Sequence, residues 1–378
     1  MSAHTLESAR REARSLAGSG LPLDTFVPAL IDALERAVPF DSACFATTDP
    51  ATGLFTGAVK KHIDEAERLN YAFSLHEYST ADVNQFIDLA TRPSGVGVLH
   101  EDTGGDPHRS ERYLAMLRPH LDAEHELRAV ARRGGAMWGA YALYRAAGSR
   151  PFTSDEAGFL QSIEQIVTTG IRSGLVTQAA RTAAATSTPA VLTVDGAGRV
   201  AQASPTAEAL LLELGGSLER LPVAVASVLG AVTSAAPPGA APAAGRLRVR
   251  AASGCWYLLH AAPFHPVDAT GAGTGARGHV VTIDEATSPA IVPLLIAAYG
   301  LTAREADIVR GILRGDSTKA IASSLHLSAY TVQDHVKAIF DKTGVSSRRE
   351  LVAQVFFAHQ VEHFGAAPRV TGANLPAT

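Results

Sequence analysis

The stretch "LHLSAYTVQDHVKAIFDKTGV", Leu325–Val345, decides how the C-terminal part of the chain folds. At about 100° per residue, Val332, Val336, Ile339 and Phe340 fall on one face of a single helix. Tyr330, Gln333, Asp334 and Lys337 fall on the opposite face, with Thr331 and His335 on a flank. Ser328 is placed to cap the first turn and Gly344 to end the helix. Periodicity alone fits an ordinary surface helix whose polar side is solvated.

The neighbouring segments narrow the choice. "TARE" at Thr302 is a capping box with Glu305, followed by an apolar stripe of Ile308, Val309, Ile312 and Leu313 that stops at Gly315. Ser317 caps a second helix through Ile321 and Leu325, "LHLS" is a tight turn, and Ser328 opens the third helix. Ser347 begins "SRRE", a second capping box, ahead of Leu351, Val352, Val355 and Phe356. Two short helices joined by a tight turn, with apolar stripes behind them, predict a helix-turn-helix. The charge agrees in sign. The chain has a formal net charge of −4, yet three of its lysines, Lys319, Lys337 and Lys342, lie here beside Arg304, Arg310, Arg314, Arg348 and Arg349. Basic side chains modestly outnumber acidic ones in this region, the sign a phosphate-binding module needs.

"LTAREADIVRGILRGDSTKAIASSLHLSAYTVQDHVKAIFDKTGVSSRREL" closely resembles the LuxR/NarL-type DNA-binding domain, matching its LTxRE, IAxxL, TVxxH and KxGV elements in order. Ala320 stands where glutamate is common and Thr343 where leucine is commoner. The resemblance implies an all-α four-helix domain. Its third helix would enter the major groove of double-stranded DNA and its fourth would pair two copies in a homodimer. Gln333, Asp334 and Lys337 are then the base-facing positions. Gln can bond adenine and Lys guanine, while Asp can accept from cytosine or orient Lys337. Lys319, Ser328, Thr331, His335, Lys342 and Arg348 are the implied phosphate contacts, which position without specifying. Leu351, Val352, Val355 and Phe356 form either the dimer seam or the domain's own core.

The rest of the chain mixes helix and strand. Residues 1–20 read as an N-terminal arm or first helix, and Asp24 as a helix cap. "SACFATTD" and "GLFTGAVK" read as paired strands, "HELRAVARR" and "MWGAYALYRA" as a hairpin around Gly134–Gly135, and Thr153 with Glu156 as the capping box of a long helix. Residues 21–178 resemble a GAF domain, especially at "MWGAYALYRAAGSRPFTSDEAGFLQSIEQIV"; residues 189–286 resemble a PAS domain in strand order. Residues 287–300 are expected to be a linker helix, 301–358 the helix-turn-helix domain and 359–378 a tail. The fold class is therefore multidomain: two α+β units followed by an all-α unit.

Both resemblances imply sensing, so a small-molecule effector is an expected partner, with RNA polymerase a second if the chain activates transcription. Phe45, Phe55, Tyr71, Phe73, Phe86, Trp138 and Tyr141 line an effector pocket or fill a plain core. The sequence shows neither the acyl-homoserine-lactone arrangement nor a receiver domain's acidic cluster, which points to a one-component regulator. "GTGARG" at Gly273–Gly278 precedes a β-run rather than a helix, so it reads as a loop and not a dinucleotide site. His100, His108 and His125 lie near carboxylates but read as polar surface. No catalytic constellation or metal site is implied, and the letters leave any cofactor unknown. Two cysteines, no secretory h-region and no apolar run long enough for a membrane predict a cytoplasmic protein.

Overall fold

The computed structural model describes residues 3–63, 69–179, 189–233, 245–264 and 278–355. The first unit runs α1 (Ala3–Gly18), α2 (Leu23–Ala37), β1 (Ser42–Thr48), β2 (Phe55–Lys61), α3 (Asn70–Tyr78), α4 (Phe86–Thr91), β3 (Val96–Val98), α5 (Leu99–Asp102), α6 (Arg118–Leu121), β4 (Ala123–Arg133), β5 (Ala136–Ala146) and α7 (Ser154–Ala179). Its antiparallel sheet has the order β2-β1-β5-β4-β3. The β4–β5 hairpin turns on Gly134 and Gly135 at φ 60° and 79°, the left-handed pair that a two-residue turn requires.

The second unit runs β6 (Ala190–Val194), β7 (Val200–Ala203), α8 (Pro205–Glu213), α9 (Val223–Thr233), β8 (Arg246–Arg250), β9 (Trp256–Phe264) and β10 (Gly278–Glu285). Its sheet order, β7-β6-β10-β9-β8, repeats that of the first sheet when each is counted from its own first strand. The third unit is helical: α10 (Ser288–Ala298), α11 (Ala303–Leu313), α12 (Thr318–Ser324), α13 (Ala329–Thr343) and α14 (Arg348–Val355). The expected fold class, two α+β units and an all-α unit, is the one observed.

The sheet units meet at α9 and at Asp49, among other places. Helix α9, the apolar "VAVASVLGAVT" run, is buried along nearly its whole length, as a helix apolar on every side must be. It lies against α3, where the Ser79 hydroxyl donates to the Gly230 carbonyl at 2.6 Å and the Asn70 amide donates to the Leu221 carbonyl at 2.9 Å. Elsewhere the buried Asp49, in the β1–β2 turn, accepts from the backbone and guanidinium of Arg248 on β8.

One face of the first sheet is closed by charge as well as by apolar packing. Arg128 donates to Glu77 at 2.7 Å and Arg112 to Glu126 at 2.7 Å, all four buried. Arg128 also lies 3.6 Å above the Phe86 ring. Paired and hydrogen-bonded in this way, the charges tolerate burial; either one left alone would not.

Some expectations change. Of the two readings of the N-terminal stretch, arm or first helix, the described residues take the helix, and Ala9, Ala13 and Ala17 of α1 are buried in the same core as α7. Asp24 lies inside the first turn of α2, which Pro22 precedes as cap, because the chain enters the helix two residues earlier. The 287–300 segment does more than link, since α10 is buried in two cores. The tail at 359–378 and most of "GTGARG" lie outside the described residues.

Glycines on α7 give a direct check of the packing. A Cβ at Gly170 would sit 2.1 Å from the Phe26 ring of α2, whereas nothing stands within 4 Å of one at exposed Gly158. Gly158→Ala is expected to raise stability by up to about 1 kcal/mol through helix propensity. Gly170→Ala should lower it by about 1–3 kcal/mol through overpacking. Denaturant midpoints of the two variants measure the difference in sign.

Candidate nucleic-acid interface

The helix boundaries of the third unit follow from local caps. Thr302 accepts from the Glu305 backbone at 3.3 Å while Glu305 accepts from the Thr302 backbone at 2.7 Å, so the expected capping box is complete. Ser317 accepts from Ala320 N–H at 3.2 Å and Ser328 from Thr331 N–H at 3.0 Å. Gly344 closes α13 at φ 71°, and His326 takes φ 55° in the turn between α12 and α13. The second box differs in detail. Ser347 accepts from Glu350 N–H at 3.2 Å, but the Glu350 carboxylate reaches Ser346 instead, and these bonds hold its pKa below the usual carboxylate range.

The caps set the rotation of α13. Val332 and Ile339 are fully buried with Ile308, Val309, Ile312 and Ile321, and Val336 and Phe340 pack at the edge of that cluster. Gln333, Asp334 and Lys337 are consequently exposed. None of the three has a side-chain hydrogen bond or ion pair among the described residues. Tyr330, one turn earlier on the same face, is 74% exposed. Sequence reading placed it on the polar face yet gave it no role, because an aromatic usually signals core.

The implied phosphate contacts divide. Lys319 has no ion-pair partner among the described residues, and His335 is half-buried without a side-chain partner there. Ser328 and Thr331 bond each other at 2.8 Å in the cap, which leaves the pair exposed. Lys342 is committed elsewhere: its ammonium bonds both Glu305 carboxylate oxygens, at 2.8 and 2.6 Å. Arg348 is likewise committed, donating to Thr318 Oγ1 at 2.9 Å and to the Asp316 carbonyl at 3.4 Å. Both are engaged within the domain, which leaves them less free than Lys319 to meet a phosphate. The unpartnered cations among the described residues of this unit are Arg304, Lys319, Lys337 and Arg349. Sequence reading assigned Arg304 and Arg349 no contact.

The expected dimer seam also narrows. Leu351 and Val355 are buried in the domain's own core, and Val352 packs at its edge. A residue filling its own core has no surface left for a partner. Phe356 lies outside the described residues.

The aromatic residues expected to share one pocket are split between the two faces of the first sheet. Successive strand residues point to opposite faces. Phe45 and Tyr141 stack at 5.2 Å on the α7 side, and a register irregularity opposite Ala131–Arg132 brings Trp138 to that same side. Phe55, Phe73 and Phe86 lie on the other side, around a small apolar cavity of about 60 Å³ beside Cys44. Burial pushes the Cys44 thiol up, away from a reactive thiolate. Tyr71 packs instead against the second unit's core. A larger cavity, about 210 Å³, lies between the two sheets with Phe45 and Trp138 in its wall. No group of three or more histidine, cysteine or acidic side chains is placed to hold a metal among the described residues. None of their helices is long and apolar enough to cross a membrane.

Residues 300–355 match the family described as bacterial regulatory proteins, luxR family. This segment is a luxR-type helix-turn-helix domain. It is 45% identical over 56 residues to the monoamine regulon transcriptional regulator of Klebsiella aerogenes, covering 15% of this chain and 25% of that protein. It is 41% identical over 54 residues to a probable transcriptional regulatory protein NarL of Mycobacterium tuberculosis, covering 14% of this chain and 25% of that protein. The chain thus spans about a quarter of the length of these curated relatives. Among solved structures, the GAF domain of an Acinetobacter phosphoenolpyruvate-protein phosphotransferase aligns over 45% of this chain and 94% of its own at 11% identity and TM-score 0.32. Vibrio cholera VqmA, solved with ligand and DNA, aligns over 44% of this chain and 80% of its own at 16% identity and TM-score 0.21.

The Glu305–Lys342 pair makes the luxR-type domain sensitive to acid. Burial opposes the Glu305 charge, but Lys342 and the Thr302 backbone outweigh it and hold the carboxyl below its usual range. A depressed folded pKa gives stability that is present above the unfolded value, about 4.3, and is lost as pH falls through the folded one. Hydrogen-exchange protection of α11 and α13 is expected to hold from pH 7 to about 5 and to decline below about 4. In Glu305→Gln, protection should be lower at neutral pH, with the gap to wild type closing as the solution is acidified.

Proposed function

We propose that the chain is a one-component transcription regulator whose luxR-type domain reads double-stranded DNA with α13. The observation that carries this reading is the exposed, unpartnered row of Tyr330, Gln333, Asp334 and Lys337 on the second helix of a helix-turn-helix. A solvated surface helix does not need its amide, carboxylate and ammonium groups free of each other along one stripe. Base-edge recognition does, because each group must exchange water for a base. Gln333 suits adenine, Lys337 suits guanine, and Tyr330 offers a ring edge to a thymine methyl together with a hydroxyl for phosphate.

On this reading the regulator acts as a homodimer on paired half-sites, with α14 near Val352 as part of the seam. The domain limits are those of the sequence, with α1 joined to the GAF-like unit. The two sheet units respond to a small-molecule effector and bias the DNA-binding domain through α10. RNA polymerase is a partner if the regulator activates.

Fluorescence anisotropy with selected duplexes tests the base-reading assignment. Lys337→Ala is expected to lower specific affinity by about 1–3 kcal/mol and to relax preference at one position. Lys319→Ala should weaken all duplexes alike and reduce the salt slope by about one. Unchanged affinity and sequence preference in Lys337→Ala would remove α13 from the interface.

A further inference from the structure

We propose that the cavity between the two sheets is an effector site for a small, uncharged, planar aromatic molecule that carries a hydrogen-bond acceptor. This deepens the reading above by giving the effector a place and a chemistry. Binding there does not itself require DNA.

The volume, about 210 Å³, exceeds the roughly 150 Å³ of an apolar cavity that accepts benzene. One substituted ring fits. Neither unit builds the site alone. Phe45 and Trp138 come from the first sheet, Trp256 from the second and Leu294 from α10, and junctions between units are where ligand sites concentrate. The chain contains two tryptophans, and both are in this wall. Trp256 is 5% exposed, and its indole N–H has no acceptor. A buried donor left unsatisfied is costly, and an acceptor on the ligand would satisfy it.

The charges in the wall balance. Asp24 and Asp49 stand in the wall with Arg248 and Arg250, two charges of each sign, and Arg248 is bound to Asp49. Thr47 and Thr56 use their hydroxyls on each other at 2.6 Å. Equal numbers of opposite charges in the wall leave no net countercharge for a charged guest, which favours a neutral one.

The position also suits signalling. Leu294 belongs to α10, and the Trp138 ring lies 5.6 Å from the Arg172 guanidinium, which donates to the Ala298 carbonyl at the end of α10 at 2.9 Å. A guest in the cavity would press on the helix that carries the DNA-binding domain and on one of the groups that hold it.

The two tryptophans permit a direct test in the full chain. With both indoles labelled with 15N, acetophenone is titrated while the two indole N–H resonances are followed. Ethylbenzene, similar in shape but without an acceptor, is the control. Both resonances should move with acetophenone, the Trp256 signal downfield, and ethylbenzene should bind about fivefold more weakly for want of one hydrogen bond. Trp256→Phe should weaken acetophenone by a similar factor and leave ethylbenzene, followed at Trp138, unchanged. Leu294→Phe, filling the cavity from α10, should abolish the response while both resonances stay dispersed. Static indole signals at millimolar acetophenone, or equal binding of the two probes, would overturn the proposal. Sequence-specific DNA binding with static indoles sinks the site alone. Indole shifts without any DNA binding sink the regulator reading and leave the site.

Discussion

Ile291, Leu294, Leu295 and Ala298 of α10 are buried in the first unit's core, while Val292 and Ile296 of the same helix are buried in the C-terminal core. At about 100° per residue, the two sets occupy neighbouring faces, so α10 cannot rotate without disturbing both. Burial of each large aliphatic side chain contributes roughly 1.5–3 kcal/mol, which ties the luxR-type domain to the sheets through packing rather than through a slack tether. Arginines fasten the ends. Arg248 donates to the Ala290 carbonyl at 3.2 Å, and Arg172 donates to the Ala297 and Ala298 carbonyls at 3.2 and 2.9 Å. Gly300, at φ 72°, leaves room for the Arg172 guanidinium where a Cβ would meet it at 2.5 Å. The orientation of α11 therefore begins at a side chain of α7.

The body behind α10 is suited to transmit a displacement because its own joints are stiff. Helix α9 fills the seam between α3 and the second sheet, and the Asp49–Arg248 contact closes another edge. The Arg112, Arg128, Glu77 and Glu126 network resists shear within the first unit, since moving one charge leaves another unpaired in a dry interior. Between these joints lies the 210 Å³ cavity, a place where the two sheets do not meet. Interiors as dense as those of proteins respond to a guest by shifting packed elements, and α10 is one of the elements at this boundary.

The legible parts of the sequence were those whose physics is local. Caps at Thr302, Ser317, Ser328 and Gly344 act within four residues, so reading them forward recovered the C-terminal helices and the exposed face of α13. The Gly134–Gly135 turn and the Thr153–Glu156 box were legible for the same reason. What sequence could not give were partners far along the chain. The Lys342–Glu305 bond is not legible, because the two residues lie 37 positions apart. Leu351 and Val355 fitted a dimer seam as well as a core, since an apolar stripe does not name the surface that covers it. The bulge that moves Trp138 to the face of Phe45 breaks strict alternation, and it left one imagined pocket where the sheet has two sides.

On the proposed reading, ion pairing within the luxR-type domain limits how it holds DNA. Arg310, Arg314 and Lys342 are bound to Asp307, Asp316 and Glu305, and Arg348 is spent on Thr318 and a carbonyl. Beside Lys337, the free cations among the described residues then support roughly three phosphate contacts per domain at most, each adding about 0.9 to the salt slope. With a net charge of −4 on the whole chain, the remaining surface adds no general attraction for the duplex. On the proposed reading, affinity must come from the base-facing row on α13 and from doubling it in a dimer, rather than from charge. A regulator built this way is sensitive to how its two recognition helices are spaced, and α10, fixed to the sheets on one face and to α11–α14 on the other, is the element that sets the position of each.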